Sequence, residues 1–265
     1  MAPATTVEAA FEFFTRPRRH QRTDAERALL AQAERSLVSD GVEQLAVWSW
    51  GAGPIVLMVH GWEGRGSQFH AFVPPLLERG FRAVAIDAPA HGDSSGTATS
   101  IPHIAAALLT VAGAIGKIAA LIGHSGGSAA SVYAFTGGLT VSTSAHLAGP
   151  CSFERGVERF CSVVGLGNHD RAEFRRRVED FIGMQLCDTD LAKLSLPGHP
   201  ALLLHDPTDR EVPFAEAELL AAAWPTATLT SIEGVGHRRI MQSEAAIDGA
   251  LRLIGGNVAA ATSRG

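Results

Sequence analysis

Between Asp93 and Glu154 the chain carries one formally charged side chain, Lys117, with histidine counted as neutral. The uncharged runs on either side, 94–116 and 118–153, are long enough to raise the question of a membrane span. A spanning helix needs about 20 mostly apolar residues in succession. The first run is broken by Pro102 and His103, and its apolar part from Ile104 is too short. The second is interrupted by His124-Ser125-Gly126-Gly127-Ser128, by Gly137-Gly138 and by the polar stretch 142–144. A central strand with two covering helices, buried deep in a soluble fold, accounts for this pattern better. A chain of 265 residues that is 46% hydrophobic and 18% charged can bury a sizeable core, as one large domain or one domain with an insertion.

The apolar pattern predicts alternation of strands and helices. Strands are expected at 42–50, 55–59, 81–86, 118–122, 142–147, 200–204 and 226–232. Helices are expected at 69–78, 101–115, 128–135, 214–223 and 243–254. This order implies an α/β fold: a mostly parallel twisted sheet with helices on both faces and right-handed crossovers. Residues 151–193 interrupt the alternation with seven Lys/Arg, eight Asp/Glu and helical periodicity, and read as an inserted helical cap. Residues 1–41 read as a polar N-terminal helical extension, 42–150 and 194–258 as the core, and 259–265 as a frayed C-terminal tail.

The net charge of −5 offers no basic footprint for nucleic acid, so neither nucleic acid nor membrane is expected as a partner. Residues 1–22 contain no apolar h-region, and Cys151, Cys161 and Cys187 are too few and too scattered for a disulfide framework. A cytoplasmic location is the expectation. The three cysteines are read as packing residues.

Gly123-His124-Ser125-Gly126-Gly127 follows an apolar strand and precedes a helix of small residues. This is G-x-S-x-G in the setting that gives it meaning: a tight strand-to-helix turn that lifts a serine hydroxyl clear of the sheet edge. It is neither a Walker A loop nor a dinucleotide fingerprint, because no Lys-Ser/Thr follows and the glycine spacing differs. A serine needs a base, and the base needs an acid to orient it. His237, on the glycine loop after the strand at 226–232, is the candidate base. Asp206 and Asp209 both follow the strand at 200–204; Asp206 is placed to cap the turn through Pro207, and Asp209 to reach the histidine. An oxyanion hole needs two backbone N–H donors. Gly126 is one candidate, and Trp62, in His60-Gly61-Trp62 after the first buried strand, is the other.

With these motifs and Asp87-Ala88-Pro89-Ala90-His91-Gly92-Asp93-Ser94, the chain resembles the α/β-hydrolase family over about 42–258. The resemblance implies a cap inserted after the sixth strand and no catalytic role for His91 or Asp93. The nucleophile is Ser125, unlike the aspartate of the haloalkane dehalogenases and epoxide hydrolases. Trp62 and Glu63 after Gly61 depart from the HGGG-type esterases. The expected function is a serine hydrolase that cleaves a carboxylic ester through an acyl-enzyme, with a small acyl substrate, no cofactor and no metal. Alternatives are thioester, lactone, peptide or carbon–carbon bond hydrolysis on the same residues, or a non-catalytic binding protein of the same fold. His60, His91, His205 and Asp206 also follow strands, but no metal-binding run such as H-E-x-x-H is present. The extension could pack on the cap or mediate a homodimer.

Overall fold

The short apolar runs pair into a single sheet. The computed structural model describes residues 6–262, with side chains through 258. Its strands are β1 (Glu34–Ser39), β2 (Gln44–Trp50), β3 (Ile55–Val59), β4 (Arg82–Ile86), β5 (Ile118–His124), β6 (Thr143–Leu147), β7 (Ala201–His205) and β8 (Ala227–Ser231). They form one eight-stranded sheet in the order β1-β2-β4-β3-β5-β6-β7-β8. The β1–β2 and β2–β4 pairs are antiparallel, and every other pair is parallel. The helices are α1 (Thr6–Thr15), α2 (Asp24–Leu30), α3 (Val73–Glu78), α4 (Ile101–Ile115), α5 (Gly126–Thr136), α6 (Phe153–Val163), α7 (Asn168–Ile182), α8 (Phe214–Ala223), α9 (Gly236–Arg239) and α10 (Glu244–Thr262).

Strand periodicity divides the core. On β3, Val56 and Met58 join one apolar cluster with Leu29 of α2, Leu76 of α3 and Ile254 of α10. Leu57 and Val59 point the other way and join Leu108 of α4, Val132 of α5 and Leu220 of α8. All four β3 side chains are fully buried, and each contributes about 1.5–3 kcal/mol by leaving water. The charge-poor middle becomes α4, β5, α5 and β6, and α5 is buried along most of its length. Lys117 lies exposed in the turn from α4 to β5, outside this packing. No helix among the described residues is long and apolar enough to cross a membrane.

Several expected boundaries move. The extension is not helical throughout: α2 stops at Leu30, and 34–39 form β1 on β2. Glu34-Arg35-Ser36 suggested helix by composition, but β1 is an edge strand exposed along nearly its whole length, and such a strand needs no apolar alternation. The expected helix at 69–78 is a 3₁₀ turn, Gly66–Ala71, followed by α3, with Pro74 in its first turn. The final helix continues past Gly255-Gly256 to Thr262 because Ile254 and Val258 both pack into the core. The expected tail at 259–262 is therefore helical, while 263–265, like 1–5 of the extension, lie outside the described residues.

Residues 151–193, between β6 and β7, fold into α6, α7 and two 3₁₀ turns. Their apolar faces meet α1 in a third cluster, with Val7 and Ala10 against Val157, Phe174 and Val178. Phe14 lies 4.8 Å from Phe160 and 5.5 Å from Phe174, ring centre to ring centre. The N-terminal helix thus packs on the inserted helices. Arg155 anchors the insertion to α8 through Glu216 at 2.8 Å and also reaches Asp190 at 3.1 Å. Arg175 pairs with Glu154 and Glu158, so these arginines are matched within the fold.

Candidate active site

The elbow between β5 and α5 is built by steric exclusion. Ser125 itself adopts φ 52 and ψ −125, a conformation sparsely populated by residues with a side chain. A Cβ on Gly127 would lie 2.3 Å from the His60 carbonyl oxygen, and one on Gly123 would lie 2.7 Å from Ser128 Cα. Only glycine allows the chain to pass so closely on both sides. The Ser125 N–H donates to the Leu147 carbonyl of β6 at 2.8 Å, which fixes the turn to the sheet.

The three side chains nominated from the sequence meet here. Ser125 Oγ lies 2.8 Å from His237 Nε2, and His237 Nδ1 lies 2.7 Å from Asp209 Oδ2. The carboxylate can only accept, so Nδ1 carries the proton and Nε2 presents its lone pair to the serine hydroxyl. Asp209 Oδ1 accepts from the backbone N–H groups of Glu211 and Val212 at 2.7 and 3.0 Å. Burial alone would raise the pKa of Asp209. Hydrogen bonds from His205, His237 and the Val212 N–H outweigh it and hold the carboxyl below its usual range. The two nominated N–H donors are also adjacent: Trp62 N lies 3.8 Å from where a Gly126 Cβ would sit.

Three further residues support this line; the sequence reading assigned no role to His124 or His205, and to Asp206 only the turn cap. His124, the variable position of the motif, lies 2.9 Å from the His237 carbonyl through Nε2. Burial, then the neighbouring His237, pushes its pKa down to about 3, so at neutral pH it is an uncharged ring donating Nε2–H to that carbonyl. His205 Nε2 donates to the Val212 carbonyl at 2.9 Å and lies 3.4 Å from Asp209 Oδ2. Asp206 caps the turn as expected, accepting from Thr208 N–H and Oγ1–H at 2.7 and 2.8 Å. Its other oxygen accepts the Gly236 N–H at 2.5 Å, which ties down the loop carrying His237. His124 was discoverable as the buried x of the motif; the other two contacts depend on loop conformation. His60 and His91 hold loops through Ala88 N–H and Glu63 N–H, both at 3.0 Å, and no three metal-binding side chains converge among the described residues.

The sequence profile of the alpha/beta hydrolase family matches residues 56–248, well over half of the chain. The chain belongs to this family. It is similar to a pimeloyl-[acyl-carrier protein] methyl ester esterase of Xanthomonas campestris pv. campestris (strain B100), 27% identical over 234 residues and spanning 71% of this chain and 89% of that one. Among solved structures, an esterase of Pyrococcus furiosus superposes with a TM-score of 0.69 at 17% identity, covering 90% of this chain and 96% of that one. Alpha/beta hydrolase domain-containing protein 10 from mouse gives 0.67 at 18% identity, covering 83% and 96%. These structures share the fold.

The segment before the matched residues also reaches the site. A strap between α1 and α2 crosses the site. Arg18 grips Glu63, the residue after Trp62, at 2.7 and 2.9 Å, and His20 reaches the same carboxylate at 3.2 Å. Arg19 donates to the carbonyls of Gly92, Ser94 and Gly96, and Arg22 pairs with Asp93 at 2.8 Å. A cleft of about 350 Å³ opens at Ser125 and His237. Its walls include His20 of the strap, Glu26 of α2, Arg65 and Arg238, and none from 151–193. The N-terminal extension thus borders the cleft at Ser125 directly.

The Arg18 hydrogen bond lowers the Glu63 pKa from 4.5 to about 2. A depressed carboxylate stabilises the fold fully above its unfolded pKa and loses that contribution as pH falls towards its folded pKa. Between pH 4.5 and 2 the native protein should therefore lose the Glu63 contribution. Thermal melts should show the parent ahead of Glu63→Gln at pH 6, with the gap closing by about 2 °C towards pH 3. A gap that widens on acidification would show that the Arg18 pair is not the cause.

Proposed function

We propose that the chain is a serine carboxylic-ester hydrolase that works through an acyl-enzyme. The observation that carries this is the unbroken line Asp209–His237–Ser125, with hydrogen bonds of 2.7 and 2.8 Å. Ser125 Oγ attacks the ester carbon as His237 Nε2 takes its proton. The negative oxygen that forms is held by the N–H groups of Gly126 and Trp62, where each such donor is worth about 10²–10³ in rate. His237 hands the proton to the departing alcohol, and Asp209 stabilises the imidazolium in between. A water, activated by His237, then releases the acid and restores Ser125. The Xanthomonas relative at 27% identity is a methyl ester esterase, which supports an ester bond as the target. On this reading the strap borders the cleft at Ser125, while α1 and α6 wall a neighbouring cavity.

The test is covalent labelling. A fluorophosphonate should modify Ser125 stoichiometrically, as located by mass spectrometry, and hydrolysis of p-nitrophenyl butyrate should decline in step with labelling. A protein that binds without catalysis would leave Ser125 unmodified, and that result overturns the proposal.

A further inference from the structure

The direction of proton transfer assigns the two halves of an ester to two sides of Ser125. His237 Nε2 must reach the departing oxygen, so the alcohol half belongs in the cleft that His237 lines, whose other walls include Glu26, Arg65, Gln68 and Arg238. The acyl half leaves the carbonyl on the other side. There the neighbours of Gly126 are Ile101, whose side-chain carbons lie 3.7 and 3.8 Å from a Gly126 Cβ position, and the backbone of Trp62. Ile101 and Trp62 also line a second cavity of about 320 Å³. Trp62 and Glu63 are common to both cavities and form the partition between them.

The second cavity is walled by aromatic rings. Phe13 and Phe14 of α1 face Phe153 and Phe160 of the inserted helix α6, with Ile101 at the elbow end. Its polar groups are mostly engaged elsewhere: Arg18 with Glu63 at the rim, and Ser100 Oγ with His103 Nδ1 at 2.8 Å. The Thr99 hydroxyl is the one buried wall group with no hydrogen-bond partner, too little to recognise a charged or strongly polar ligand. We propose that this cavity is the acyl-chain site, that its ligand is an unbranched hydrocarbon chain of about six to ten carbons, and that α1 is the specificity element. The volume is roughly twice that of a ~150 Å³ cavity able to hold benzene, hence room for a chain on the order of ten carbons. Phe13 and Phe14 precede residue 56, so the site depends on a part of this chain outside the matched family segment. The assignment rests on the ester-hydrolase reading above.

The experiment is a chain-length series of p-nitrophenyl esters, from acetate to dodecanoate, on the full chain and on Phe13→Asp. Phe13 is 59% exposed, so the substitution charges the cavity wall without removing a core residue, and a circular-dichroism melt checks the fold. Each added methylene that leaves water should raise kcat/KM by roughly two- to fourfold until the cavity is filled, with a maximum at six to ten carbons. Phe13→Asp should lower the octanoate-to-acetate ratio of kcat/KM by about tenfold or more. A flat series, or a ratio that survives Phe13→Asp, with Ser125 still labelled by fluorophosphonate, overturns the acyl-chain site and leaves the ester-hydrolase reading intact. Absence of both turnover and label overturns the two together.

Discussion

Ser125→Ala should lower ester kcat by about 10⁴–10⁶-fold and leave the melting curve unchanged. The large loss follows because the nucleophile is removed, leaving only the N–H donors and binding to act on the substrate. The intact fold follows because the structural duties at this position belong to the backbone. The N–H of Ser125 bonds to Leu147, and its φ of 52 is already occupied by a residue with a Cβ. Steady-state hydrolysis of p-nitrophenyl butyrate, with thermal denaturation alongside, measures both. Retention of more than about one part in a hundred of the activity would remove Ser125 from the chemistry.

Asp209→Asn should cost about 10⁴-fold in kcat, while Asp206→Asn should cost about tenfold or less. Every group facing the Asp209 carboxylate is a donor: His237 Nδ1, the N–H groups of Glu211 and Val212, and His205 Nε2 at 3.4 Å. An amide in this place turns one of its ends into a donor. If that end meets His237, the ring shifts its proton to Nε2, the atom that must accept the serine proton. Asp206 is one loop turn away and holds Gly236 and Thr208, so its loss loosens the histidine loop without changing the tautomer. Equal losses in the two variants would mean that the acid had been assigned to the wrong aspartate.

Most of the sheet could be read from the sequence because most of it is buried on two faces. The run Ile55–Val59 coincides with β3, and Ile101–Ile115 with α4, residue for residue, since double burial leaves continuous apolar stretches between turn signals. Composition failed at the exposed edge strand β1, whereas β8 was found at 226–232 despite its partial exposure. β1 carries Glu34 and Arg35 and hydrogen-bonds as an edge, a context that composition does not report. The residues brought to Ser125 were legible because each follows a strand end, and a parallel sheet gathers those ends along one edge. The strap was not legible. The grip of Arg18 on Glu63 and of Arg19 on three carbonyls joins segments far apart in sequence, and an arginine-rich stretch between two helices looks the same whether it is solvated or engaged.

The packing of α1 also has a consequence for synthesis. Its apolar face is covered by α6 and α7, which follow four parallel strands later in the chain. Translation proceeds at about 5–20 residues per second, so Phe11 and Phe14 emerge on the order of ten seconds before Phe153 and Phe174 exist to receive them. The first half of the sheet can assemble in that interval, since β1 to β5 are neighbours in it, but α1 has no place to dock. Its attachment therefore waits for α6 and α7, and until then its aromatic face has nothing to pack on. The aromatic wall closed by Phe13 and Phe14 can be completed only once α6 and α7 exist, by a segment made before the strands that precede them.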